Sequence, residues 1–149
     1  MPRDPMTIPV DGPRPLPVPN EVSRPYWDAC RRHELTFMRC RSCGHAFFPP
    51  ARACIRCLSF DLAWERSSGR GVIDTYTLIV KEPSPGFPLP TVLATINLEE
   101  GHYMFSDIVE CDPTDVACDL PVEVVFYEIN DEITLPMFRL VRSDSATNR

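Results

Sequence analysis

The stretch MRCRSCGHAFFPPARACIRC, Met38 to Cys57, decides the reading of this chain. It holds four of the seven cysteines as two C-x-x-C pairs, Cys40/Cys43 and Cys54/Cys57, with ten residues between the pairs. A two-residue gap lets both thiolates of a pair reach one ion while the backbone turns around it. Gly44, directly after the first pair, supplies the backbone freedom such a turn uses. The spacer is shorter than the usual run of about fifteen to twenty residues, yet long enough for a tight hairpin. Four soft thiolates in a tetrahedron suit Zn²⁺, or iron held the same way. The intervening FFPPARA reads as packing and turn, not as redox tuning, so zinc is the expected metal. With Cys40, Cys43, Cys54 and Cys57 filling every position, none stays open for water or substrate, and the ion is expected to be structural. His45 is then a neighbour of the site and not a ligand.

Outward from this knot, residues 36–63 are too short and interrupted for a hydrophobic core of their own, so metal binding should contribute to their folding. On the N-terminal side, EVSRPYWDACRRHEL (residues 21–35) reads as a short amphipathic helix. Ser23 is its expected N-cap and Pro25 falls in the first turn. Tyr26, Ala29, Cys30 and His33 share one face, and Trp27 begins a second. Residues 1–20 hold seven prolines and little apolar bulk; the expectation is an extended, polyproline-like arm, either a loose tail or a strap on a partner.

After Trp64 the pattern changes. RGVIDTYTLIV, PTVLATINLE, HYMFSDIVE, PVEVVFYEI and EITLPMFRLV are five β-rich runs separated by turn-rich connections. Five strands at this spacing predict a small closed or half-closed barrel over residues 64–141. The connection CDPTDVACDL is the place for a short helix, and residues 142–149 read as a polar tail. The fold class is therefore mainly β: an N-terminal helix, a metal ribbon and a five-stranded barrel.

The net charge of −6 is unevenly spread. Residues 1–30 sum to −1, residues 31–70 to +5 and residues 71–149 to −10. A basic island on an acidic chain argues against a long polyanion as partner and leaves room for a small anion at an arginine cluster. No run of eighteen apolar residues and no export signature is read, so no membrane span and a cytoplasmic setting are expected. In that reducing setting paired cysteines favour metal over disulfide. Cys30, Cys111 and Cys118 are left over. None sits in a catalytic signature, and buried inert thiols are expected. Glu99–Glu100 and Asp131–Glu132 read as solvated turns.

The order of parts resembles the bacterial and archaeal proteins that fuse a rubredoxin-like zinc ribbon to an OB-fold, long filed as a domain of unknown function. Trp27, Cys40, Cys43, Gly44, Phe48, Pro49, Pro50, Cys54, Cys57, Trp64, Ser68, Gly69, Gly71, Tyr76 and Thr77 carry the resemblance, over about residues 24–141. Members often read Pro-Pro-Arg; here Ala51 intervenes before Arg52. The resemblance implies a non-catalytic accessory subunit in a hetero-oligomer with a thiolase-like acyl-CoA enzyme: a thiolase, an acyltransferase or a retro-aldolase. It further implies binding or positioning of acyl-CoA, with Arg39, Arg41, Arg52 and Arg56 as candidates for the coenzyme A phosphates. The alternative is a single-stranded nucleic-acid-binding OB-fold using Tyr76, Tyr103, Phe105 and Phe126 as stacking platforms. A free-standing enzyme built on Cys111 or Cys118 has no support in the sequence.

Overall fold

The computed structural model describes residues 14–82 and 85–142. The first thirteen residues of the expected arm and all but Arg142 of the expected tail lie outside this range. The architecture is mainly β, as expected, with one α-helix: α1 (Arg24–Arg31), a ribbon of β1 (Thr36–Cys40), β2 (Ala46–Phe47) and β3 (Leu62–Arg66), then a barrel of β4 (Arg70–Ile79), β5 (Thr91–Leu98), β6 (Tyr103–Val109), β7 (Pro121–Glu128) and β8 (Thr134–Leu140).

The helix is shorter than the sequence predicts, for a reason visible at each end. Residues 21–23 form a turn in which the Asn20 side-chain oxygen accepts from the N–H groups of Val22 and Ser23, while Ser23 Oγ accepts from Asn20 N–H. Ser23 stands at the N-cap position but makes no side-chain cap to the helix. At the other end His33 takes a left-handed conformation (φ 57°). His33 N–H bonds Cys30 O and Glu34 N–H bonds Ala29 O, a Schellman closure on a residue other than glycine. Tyr26, Ala29 and Cys30 are buried. His33 leaves that face: its ring stacks on Phe126 at 5.1 Å and its Nε2 lies 3.0 Å from Glu128 Oε1.

In the ribbon sheet β1 is central, paired antiparallel with β2 and β3, so Trp64 lies opposite Met38. Met38, Cys40, Phe47 and Cys54 form one buried cluster, with Leu62 and Trp64 packed beside it. The barrel closes in the order β4-β5-β6-β8-β7. Its neighbours are antiparallel except β6 and β8, which run parallel through Ile108–Phe138 and Val109–Arg139. The five sequence runs fall on these five strands. Period-2 alternation puts Val92, Ala94, Ile96 and Leu98 of β5 inside with Ile73, Ile108, Val122 and Phe138. The expected helix between the third and fourth barrel strands is one 3₁₀ turn, Pro113–Asp115, capped by the Asp112 carboxylate. Tyr26, Cys30 and Leu35 join the barrel core, so α1 ties the ribbon to the barrel.

The described part of the arm, residues 14–20, forms no regular element, and its first residue contacts the chain's own barrel. The Arg14 guanidinium lies 4.5 Å above the Phe87 ring, and its Nη2 is 3.9 Å from Asp107 Oδ2 on β6. No helix among the described residues is long and apolar enough to cross a membrane.

Candidate metal centre and its surroundings

Two near-identical turns build the centre. After Cys40, Gly44 N–H donates to Cys40 O, and Cys40 N–H bonds His45 O; after Cys54, Leu58 N–H donates to Cys54 O, and Cys54 N–H bonds Ser59 O. The fifth residue of each turn is left-handed: Gly44 at φ 76° and Leu58 at φ 64°. A leucine in that conformation carries a steric cost that glycine does not, so the second turn is the more strained. Ser42 and Ser59 hydroxyls meet at 2.8 Å and join the turns.

These turns bring the four sulfur atoms within 4.8 Å of one another. Cys40 and Cys57 sulfurs are 3.6 Å apart, and those of Cys43 and Cys54 are 3.7 Å apart. Both are far beyond an S–S bond. A tetrahedron with Zn–S bonds of about 2.3 Å has edges of roughly 3.8 Å, so the donor set fits a tetrathiolate ion. Cys40 and Cys54 are buried and Cys43 and Cys57 exposed, which places the centre at the ribbon's edge. The backbone N–H of Cys43 is the largest influence on Cys40 and, against burial, brings its thiol down to about 6. For Cys54 burial opposes ionisation, but the N–H groups of Cys57 and Arg56 outweigh it and lower the pKa. At Cys57 the Ser59 N–H favours the thiolate; burial and the three neighbouring sulfurs prevail and push it up to about 12. Four thiolates this close need a cation to share. His45 is outside the cluster, its ring stacked on Phe47 at 5.9 Å.

Three of the four candidate arginines are paired with carboxylates of this chain. Arg39 on β1 bonds Glu65 Oε2 at 2.9 Å and Gly44 O at 3.0 Å. Arg41 pairs with Asp61 at 3.2 Å, and Arg52 with Glu21 at 3.1 Å. Arg56 is exposed, with no side-chain partner among the described residues. Of the remaining cysteines, Cys30 is buried and its thiol pushed up to about 12, chiefly by burial. Cys111 is half-buried and raised by burial and then by Asp115 and Asp112. Cys118 is exposed, against the expectation of burial.

Sequence reasoning missed the joint between ribbon and barrel. Glu100, read as part of a solvated turn, accepts from Ser67 Oγ at 2.8 Å and from Ser68 N–H at 2.6 Å, and Glu99 accepts from Ser68 Oγ. Gly69 follows at φ 74°, where a Cβ would collide with the Val124 side chain. The Ser-Gly-Arg-Gly run is thus the seat of the linker. The signal was present, a pair of acids two β-runs away from a Ser-Ser-Gly, but only the pairing of β4 with β5 brings them together.

Among the described residues, large apolar side chains face outward at several places. The second cysteine turn presents Ile55, Leu58 and Phe60 at 64, 74 and 83% exposure. On the barrel, Tyr103 and Phe105 share the outer face of β6 at 50 and 77%.

Against known proteins, the profile described as "ChsH2, rubredoxin-like zinc ribbon domain" matches residues 27–63, and "ChsH2, C-terminal OB-fold domain" matches residues 64–127. A "DUF35 domain-containing scaffold protein" of Methanothermobacter thermautotrophicus is 34% identical over 115 residues, 75% of this chain and 86% of the relative. The chain belongs to the DUF35 family. Two hydratase-subunit relatives are longer than this chain. A "Probable enoyl-CoA hydratase alpha subunit" of Thermomonospora curvata is 31% identical over 126 residues, 85% of this chain but 40% of the relative, so this chain spans less than half of it. Among solved structures, a chain of the "Ltp2-ChsH2(DUF35) aldolase" superposes with a TM-score of 0.76 at 30% identity, covering 84% of this chain and 98% of that one.

Proposed function

We propose that this DUF35 chain is a cytoplasmic, non-catalytic accessory subunit of a thiolase-like acyl-CoA enzyme, holding the complex together and helping to position acyl-CoA. One observation carries the reading. The second cysteine turn is closed by its own backbone hydrogen bonds and presents Ile55, Leu58 and Phe60 to solvent, with Arg56 between them in sequence. Large exposed apolar side chains beside an arginine on such a turn have the composition of an interface anchor. Cys40, Cys43, Cys54 and Cys57 would hold Zn²⁺, which supplies stiffness and no open coordination position. The raised thiols of Cys30 and Cys111 are shifted the wrong way for nucleophiles, which supports bond making in the partner. The relatives' names support an accessory role: "scaffold protein", "hydratase alpha subunit", "Ltp2-ChsH2(DUF35) aldolase".

Arg56 is the best-placed candidate for a coenzyme A phosphate. Arg39, Arg41 and Arg52 would have to exchange a carboxylate for a phosphate, which is cheap where the pairs are exposed. Co-expression with a thiolase-fold enzyme encoded beside it, followed by size exclusion, tests the assignment. Co-elution is expected, and it is expected to be lost in an Ile55→Ser/Phe60→Ser variant that keeps its zinc. Elution of the wild-type chain alone in every pairing would sink the proposal.

The outward Tyr103 and Phe105 favour a second reading, a single-stranded nucleic-acid platform. The −10 charge of residues 71–149 opposes it. Tight, salt-sensitive binding of a labelled oligonucleotide would revive it.

A further inference from the structure

At the ribbon–barrel joint His102 is 1% exposed, and neither ring nitrogen has a hydrogen-bond partner. Its imidazole stacks on Phe37 of β1 at 4.4 Å, 16° from parallel, and Phe37 is itself fully buried. Its Nδ1 lies 3.9 Å from Glu100 Oε2, beyond hydrogen-bond reach. Those Glu100 oxygens already hold the linker through Ser67 Oγ and Ser68 N–H. From β1 Arg39 opposes positive charge on the ring and is itself tied to Glu65 of β3. Glu99 reaches the joint through the Ser68 hydroxyl. One histidine therefore touches the ribbon by its ring face and sits beside the carboxylate that clamps the linker.

We propose that His102 is a proton-operated latch between ribbon and barrel: neutral, it seats on Phe37 and leaves Glu100 to the linker; protonated, it draws Glu100 off Ser67 and Ser68, and the joint loosens. Burial, the largest influence, holds the imidazole below its ordinary 6.5; Glu100 pulls the other way and Arg39 adds to the depression. Glu100 is itself lowered: burial opposes ionisation, and the Ser68 N–H and Ser67 hydroxyl outweigh it. The carboxylate thus stays ionised while the imidazole titrates. The unfolded chain binds this proton first, so stability is intact above about pH 6.5 and is lost as pH falls through the folded value. The consequence for assembly, a docking turn whose seating on the barrel depends on pH, rests on the accessory-subunit reading; the latch does not.

The test uses the full-length chain in excess zinc, without any partner, so its failure leaves the accessory reading untouched. Nuclear magnetic resonance follows the His102 imidazole, the Phe37 ring and the Ser68 amide from neutral to mildly acid pH. A shared midpoint below the ordinary histidine value is expected. The Ser68 inflection is expected to vanish in His102→Phe, which keeps an aromatic ring against Phe37, and in His102→Gln should the first variant fold poorly. A Ser68 amide that stays still while His102 titrates, an unchanged inflection in either folded variant, or a His102 midpoint at or above the ordinary value would overturn the latch.

Discussion

The ribbon and the barrel solve the same problem in opposite ways. The ribbon has strands of five, two and five residues and a buried cluster of its own of only four side chains, two of them cysteines. The barrel has strands of seven to ten residues, a closed ring of hydrogen bonds and a continuous core of Ile, Val, Leu and Phe. Ordering each residue costs about 1–2 kcal/mol of backbone entropy. In the barrel burial offsets that cost; in the ribbon an ion has to. The charge divides with the architecture, +5 across residues 31–70 and −10 across residues 71–149. The part with the weakest core therefore carries the cationic, apolar outer surface, and the self-sufficient part serves as its base.

Removing a thiolate should break this contrast most visibly. Cys54→Ser takes one vertex from the tetrahedron, and three thiolates with a hydroxyl hold zinc poorly. Zinc stoichiometry is expected to fall and the amides of residues 38–60 to lose exchange protection, while Val92, Ala94 and Ile96 keep theirs. Loss of protection across β5 as well would show that the barrel leans on the ribbon, through Trp64 and Phe48 packed on its core.

The reverse experiment targets Phe138, fully buried where β8 meets both β6 and β7. Phe138→Ala is expected to cost about 3–5 kcal/mol, read as a lower denaturation midpoint with zinc content unchanged. A smaller cost is expected at the linker. Gly69→Ala puts a side chain on a left-handed backbone and against Val124, worth about 1–3 kcal/mol, and should move Ser68 off Glu100. If Gly69→Ala were silent in the Ser68 amide signal, the linker would be less tightly seated than its geometry implies.

How much of this could be read in the sequence follows from the range of the interactions. The cysteine spacing is local chemistry, so the metal cluster was legible, as were the five barrel strands; the order in which they close, with β6 and β8 parallel, was not. The helix ends were not, because Asn20 and a left-handed His33 set them, and neither follows from helical periodicity. The joint was hidden for a different reason. Glu100 and Ser67 are thirty-three residues apart and look solvated singly; a β-hairpin has to form before they meet. The arginines show the same limit: their clustering in sequence is real, yet β1 pairing with β3 hands Arg39 to Glu65.

That last point leads to the smallest expected effect on stability. Arg39 is a third exposed and paired, so Arg39→Ala should cost no more than about 1 kcal/mol. Arg56 touches no partner side chain among the described residues, and Arg56→Ala should stay within about 0.5 kcal/mol. Stability alone hardly separates them, but ligand binding should. In a complex with the partner enzyme, Arg56→Ala is expected to weaken acyl-CoA by about tenfold, the order of one lost charge-assisted contact, and Arg39→Ala to leave it unchanged. The opposite ranking would mean that Arg39 releases Glu65 on binding and that the strand, not the cysteine turn, faces the phosphates. Equal silence in both would leave the ribbon's positive charge to the partner's surface and remove coenzyme A from its role.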